Sequence, residues 1–138
     1  MSDVCKLYII HAWQFGAEYN ELIKLLKTPY FKYYNYSGVD ELKSNYPTKL
    51  STEQEIEEFM KSRIALAQVV IVLSCKYYEF TEPIQTELKF AQEYNKPIIA
   101  MYSKKHNDIP HEIATIATVV VDWQSSDLIN AISDNIQE

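Results

Sequence analysis

The chain has 138 residues, 47% hydrophobic and 13% aromatic, which is one domain's length with enough apolar material for a core and too much for a disordered chain. Thirteen basic against nineteen acidic residues leave a net charge of −6, and Lys and Arg never cluster beyond two adjacent positions. Neither nucleic acid nor an anionic membrane surface is therefore an expected partner. No apolar run approaches the ~20 residues of a membrane span. The segment Met1–Lys6, with Asp3 among polar residues, does not read as a signal peptide. The expectation is a single cytoplasmic domain over residues 1–138.

In chain order, the first strand is expected at Leu7–Ile10, followed by a helix whose apolar face is Tyr19, Leu22, Ile23 and Leu26. Phe31–Tyr36 is a weaker strand in which tyrosines replace aliphatics, as suits a sheet edge. With Tyr30 it forms a tyrosine cluster that reads as an amphipathic edge or, alternatively, an interface. Ser37–Leu50, containing Gly38 and Pro47, is the one long irregular stretch. Ile56, Phe59, Met60 and Ile64 then repeat at helical spacing after Ser51, with Gln54 three residues on as a capping-box partner. Val69–Leu73 is a continuous apolar strand. Ile84, Leu88 and Ala91 mark the next helix, with Thr81 as N-cap and Pro83 in its first turn. Ile98–Met101, a short helix over His111–Ala117, Val119–Val121 and a helix after Ser125 and Ser126 (Leu128, Ile129, Ile132, Ile136) complete the pattern.

The apolar runs are continuous rather than alternating, which is the signature of strands buried on both faces. Five strands alternating with five helices make an α/β, three-layer, flavodoxin-like domain with a parallel sheet in the order 2-1-3-4-5. In such a sheet ligands bind where successive helices leave for opposite faces, here the carboxyl ends of the first and third strands: Ile10–Phe15 and Ser74–Thr81. Cys5 and Cys75 fall at opposite sheet ends, too far apart for a disulfide, and read as small buried or half-buried side chains; a reactive thiol at Cys75 is the alternative.

Several occupants of this fold lack their chemistry. A phosphorylated receiver needs acidic groups at the first strand's end and an Asp closing the third, where this chain has Ile10-His11 and Ser74-Cys75. A flavin mononucleotide protein needs a small, hydroxyl-rich phosphate loop, where this chain has His11-Ala12-Trp13-Gln14-Phe15. Two glycines cannot build GxGxxG or GxxxxGK[ST]. His106 and His111, beside Asp108 and Glu112, lack a zinc-site spacing, and no metal is expected. Trp13 and Trp123 read as packing anchors, with Trp13 at the first strand's exit alternatively a stacking platform for a base. His11 either bonds a loop carbonyl or lines a pocket.

The informative residue is Glu87. At about 100° per residue it falls inside the arc of Ile84, Leu88, Ala91 and Tyr94, whereas Glu82 and Glu93 fall opposite. A carboxylate on the packed side of a helix at the switch point is either marginal, snorkelling or meeting an Arg or Lys, or it is a catalytic group in a cleft. A carboxylate there suits cleavage of an N-glycosidic bond, whose transition state is oxocarbenium-like.

The chain resembles the TIR-like domains, in particular the short prokaryotic branch that includes the TIR proteins of Thoeris anti-phage defence. The matching segments are Lys6–Trp13 (KLYIIHAW), Tyr19-Asn20 with Leu22, Asn35-Tyr36-Ser37, Ile84–Leu88 (IQTEL), Ala91–Ile99 (AQEYNKPII), Val121-Asp122-Trp123 and Asp127–Ile132. The resemblance implies an enzyme that breaks the nicotinamide–ribose bond of NAD and yields ADP-ribose, a cyclic isomer or a conjugate as a signal in anti-phage defence. NAD is then substrate, and no cofactor is expected. Glu87 matches the catalytic position; His11, Ala12 and Trp13 match the nicotinamide-ribose loop, and Ser37 borders the same cleft. Ser74, at the third strand's exit, is expected to join them. Partners implied are a second copy on activation and a nucleotide-sensing effector reached by the diffusible product. The chain departs from its relatives in having Ile10 before His-Ala-Trp, Gly38-Val39-Asp40-Glu41 after Ser37, and Thr81-Glu82-Pro83 where an aromatic often stands. A catalytically silent interaction module and a nucleoside (deoxy)ribosyltransferase remain the other readings.

Overall fold

A computed structural model describes residues 4–10, 17–29, 31–36, 52–73, 81–102 and 109–136. The elements run β1 (Cys5–Ile10), α1 (Ala17–Leu26), β2 (Tyr33–Asn35), α2 (Glu53–Leu66), β3 (Val69–Leu73), α3 (Thr81–Glu93), β4 (Ile98–Met101), α4 (His111–Ile116), β5 (Val119–Val121) and α5 (Ser125–Asn135). All strand pairs are parallel and the order is β2-β1-β3-β4-β5, the expected sheet with β3 at its centre and β2 at an edge.

Every residue of β3 and β4 is buried, so both sheet faces need a cover. Successive residues point to opposite faces and sort the core into two halves. Tyr8, Ile10, Val70, Val72, Ile98 and Ala100 pack with Met60 and Ile64 of α2, Ile84, Leu88 and Ala91 of α3 and Ile113 of α4. Leu7, Ile9, Ile71, Ile99 and Met101 pack with Leu22 and Leu26 of α1 and Leu128 and Ile132 of α5. Because α1 and α3 leave neighbouring strands for opposite faces, the switch point falls between β1 and β3 as the element order predicts.

Four local expectations shift. The capping box of α2 is Thr52 and Glu55, one residue beyond Ser51 and Gln54: Thr52 Oγ1 accepts from Glu55 N at 3.1 Å, and Glu55 Oε1 accepts from Thr52 N at 2.7 Å. Both frames fit the pattern, but a Glu carboxylate accepts the stronger bond and suits the positive helix end. The second strand is shorter than Phe31–Tyr36, because Phe31 instead bridges antiparallel to Thr28 and closes the turn after α1. Helix α3 starts at Thr81 itself rather than after it. The helix expected over His111–Ala117 ends at Ile116, with Ala117 as its C-cap.

The end of α3 is fixed by Asn95 at φ 57°, the left-handed region. Lys96 N donates to Ala91 O at 2.9 Å and Asn95 N to Gln92 O at 3.0 Å, the paired bonds of a Schellman motif. Lys96 Nζ also donates to Ala65 O at 3.0 Å, tying this turn to the last turn of α2. Trp123 is a half-buried anchor whose indole N–H donates to Tyr102 O at 2.7 Å. Among the described residues no helix is long and apolar enough to cross a membrane.

Asn95→Gly is expected to leave stability equal or slightly raised, and Asn95→Val to lower it by about 1–2 kcal/mol, the cost of a Cβ-branched residue in the left-handed region. Urea titration of the three proteins checks this; equal loss in both variants would show that the asparagine side chain, not the backbone angle, matters there.

Candidate functional site

Glu87 lies in the second turn of α3, on the side that packs against the sheet, and is 2% exposed. Asn35 and Glu87 are the buried polar side chains among the described residues. Facing Glu87 from β1 is Tyr8, itself 3% exposed, whose hydroxyl donates a hydrogen bond to Glu87 Oε2. Neither alternative of a snorkelling carboxylate nor an Arg or Lys partner is what the described residues show: the group is inside the core and its partner is a neutral phenol.

The placement follows from the pleat and the helix period together. Tyr8 shares the face of Ile10, Val70 and Val72, which is the face α3 covers. Glu87 shares the stripe of Ile84, Leu88 and Ala91, which α3 turns toward that face. Tyr8 pairs with Val70 in register, and Ile10 ends the strand opposite Val72. The pair therefore sits two residues, roughly 7 Å, inside the carboxyl edge of the sheet.

Burial sets the electrostatics. Removal from water pushes the Glu87 carboxyl up from 4.5 to about 8, and the Tyr8 hydrogen bond opposes the rise. The helix N-terminus contributes little, since its field fades within the first turn and Glu87 lies beyond that turn. No charged partner offsets the desolvation among the described residues. The basic side chains of the neighbouring α2 lie over aromatic rings: Lys61 Nζ is 5.0 Å from the centroid of Phe90, and the Arg63 guanidinium is 5.0 Å from that of Phe59. At neutral pH the carboxyl is thus mostly protonated, a neutral acid held ready beneath the switch point.

His11, Ala12, Trp13, Ser37 and Ser74, expected to line the same cleft, lie outside the described residues, as do Cys75 and His106. Of the expected site, the structure describes Glu87 and the strand ends from which those segments depart. Among the described residues no group of three or more His, Cys, Asp or Glu could hold a metal ion. His111 opens α4 exposed to solvent. An open groove of about 500 Å³ is lined by Leu26, Lys27, Phe31 and Tyr33, at the amino edge of the sheet and on the α1 side, so it is not part of the Glu87 site. What sequence reasoning missed is Tyr8. The signal was present: a phenol within an aliphatic buried strand needs a hydrogen-bond partner, and the one polar group in the facing stripe is Glu87.

Raising a carboxyl above its ordinary value means that the folded protein holds a proton the unfolded chain has released. Its contribution to stability is complete below pH 4.5 and is lost as pH rises through about 8. Glu87→Gln removes that dependence. Between pH 5 and pH 8 the variant is expected to gain about 3 kcal/mol relative to the parent in urea unfolding, from a slope of about 1.4 kcal/mol per pH unit. Parallel pH profiles for the two proteins would contradict a protonated, buried Glu87.

A comparison with curated proteins finds no match. The family model described as "Thoeris protein ThsB, TIR-like domain" matches residues 8–108, more than half of the chain and a span that contains both Tyr8 and Glu87. Thoeris is an anti-phage defence system, and the match extends from β1 through β4 with the expected strand order. The chain belongs to the TIR-like domain family of the Thoeris protein ThsB.

Proposed function

We propose that this domain cleaves the nicotinamide–ribose bond of NAD, with Glu87 as the carboxylate that stabilises the oxocarbenium-like transition state. The observation that carries the reading is the Glu87 carboxyl, the one carboxyl buried among the described residues, at the switch point of the sheet in a core where an unpaired charge is costly. Family membership supports it, since TIR-like domains include NAD-cleaving enzymes.

The chemistry uses burial in two ways. A carboxyl pushed to about 8 is largely neutral at rest, which spares the folded protein a buried charge. NAD brings a cationic nicotinamidium to the ribose, and an opposite charge a few ångströms away draws the carboxyl back toward its ionised form. As the bond to nicotinamide lengthens, positive charge moves onto the ribose ring. In a low-dielectric site a fixed carboxylate stabilises that charge far better than water does. The electron pair of the breaking bond leaves on nicotinamide nitrogen, and water or an internal nucleophile of ADP-ribose takes the vacant carbon, giving a hydrolysed or cyclised product.

In this proposal His11, Ala12 and Trp13 after β1, Ser37 after β2 and Ser74 after β3 line the nicotinamide-ribose pocket above Glu87. All five are within a few residues of the carboxyl ends of strands, where doubly wound sheets bind their ligands. Assembly of copies activates the domain, and the ADP-ribose-derived product serves as a diffusible signal for a separate nucleotide-sensing effector of anti-phage defence.

Glu87→Gln is expected to reduce nicotinamide release from NAD by about 100-fold or more, or roughly 2.7 kcal/mol of transition-state stabilisation, while the protein folds as well as the parent at neutral pH. The measurement is nicotinamide release during phage infection or with the assembled protein, alongside thermal melting of the same preparation. A folded variant with near-parent release would remove Glu87 from the mechanism. Release should also rise with pH on an acidic limb that Glu87→Gln abolishes.

A further inference from the structure

Outside the Glu87 carboxyl itself, the most consequential polar group in the described core is the hydroxyl of Tyr8. Its ring is packed among Ile10, Val70, Ile84 and Leu88, and its oxygen reaches across from β1 to α3. A phenylalanine would fill the same volume. The hydroxyl adds one polar atom to an apolar layer, and its hydrogen bond goes to the one carboxyl there.

We propose that Tyr8 is a positioning residue for Glu87: by donating to Oε2 its hydroxyl fixes the rotamer of the carboxyl and supplies the polar contact without which a carboxylate has no place in this core. The proposal rests on the reading of Glu87 as the group that meets the ribose. The geometry gives Tyr8 two effects. Holding one carboxyl oxygen leaves the other oriented as a single defined group, which is what a transition-state stabiliser needs. A donor to the carboxylate also favours the charged form over the neutral one, so the hydroxyl works against burial. Among the described residues the group facing Glu87 from a packed element is Tyr8 on β1, while the basic side chains Lys61 and Arg63 of the neighbouring α2 lie over the Phe90 and Phe59 rings. Tyr36 packs against the same cluster from the far side of β1. Tyr8 is the one among them that bonds to the carboxyl.

The test is Tyr8→Phe, read first by a probe that needs no activity. In protein labelled with ¹³C at the glutamate carboxyl, the Glu87 signal is the one missing from Glu87→Gln, and its titration midpoint is followed in parent and variant. The expected result is a midpoint raised by about half a unit or more in Tyr8→Phe. At pH 7 kcat for nicotinamide release falls about threefold or more with KM little changed, and raising the pH restores it. A purely packing role predicts no midpoint shift and no rescue by pH. An unchanged midpoint in a folded Tyr8→Phe protein overturns the proposal and leaves the role of Glu87 to its own variant. A raised midpoint in a protein that releases no nicotinamide even when assembled or during phage infection upholds the tie between Tyr8 and Glu87 and overturns the NAD reading. If Tyr8→Phe is too unstable to titrate, Tyr8→Phe/Glu87→Gln decides. A gain in stability from Glu87→Gln that is larger in the Tyr8→Phe background than in the parent shows that the lost partner of the carboxyl was the cause; an equal gain in both backgrounds overturns the proposal.

Discussion

Val69–Leu73 is buried at every position, and a strand with no solvent face needs a partner on each side and a helix layer above and below. The neighbours are β1 and β4, both parallel, and the crossovers that parallel pairing demands supply the two layers. From this follow the division of the core into two halves, the departure of α1 and α3 to opposite sides, and the switch point between β1 and β3. The residues that face α3 beneath that switch point are then set by parity alone: every second residue of β1, with Tyr8 among them.

Among the described residues that apolar layer holds one carboxyl, and its described surroundings compensate it only in part. An arginine beside Glu87 would have kept it ionised and bound its charge in a permanent pair. A phenol costs less to bury and leaves the carboxyl poised between its two forms, with burial holding the upper hand. The same incompleteness costs stability at alkaline pH.

Much of this was legible in the sequence, and the exceptions have definite causes. Continuous apolar runs gave away β1, β3, β4 and β5, because double burial leaves no polar alternation to mislead. The second strand was readable as an edge from its tyrosines, but its length was not, since Phe31 is as suited to the turn bridge with Thr28 as to a ladder. The N-terminus of α2 offered two overlapping capping patterns, and only the geometry of the first turn separates Thr52 from Ser51. Glu87 was marked by its place in the stripe of α3. Its partner was not, because Tyr8 and Glu87 are 79 residues apart and a pairing across that distance is a property of register and packing, which one sequence does not display. The segments that carry His11, Trp13, Ser37 and Ser74 follow strand ends, where no period constrains them.

Among the described residues both edges of the sheet are short. The described strands β2 and β5 have three residues each, and β2 carries a tilted Tyr34–Tyr36 ring pair and a stacked Phe31–Tyr33 pair beside it. A foreign strand arriving at such an edge finds a row of very few outward amide and carbonyl groups, too few to template a continued ladder. Runaway edge-to-edge aggregation, the standing hazard of an open sheet, gains little here. Copies of this domain that associate are left to do so through side-chain surfaces, whose specificity can be tuned residue by residue, rather than through backbone pairing, which is indifferent to sequence.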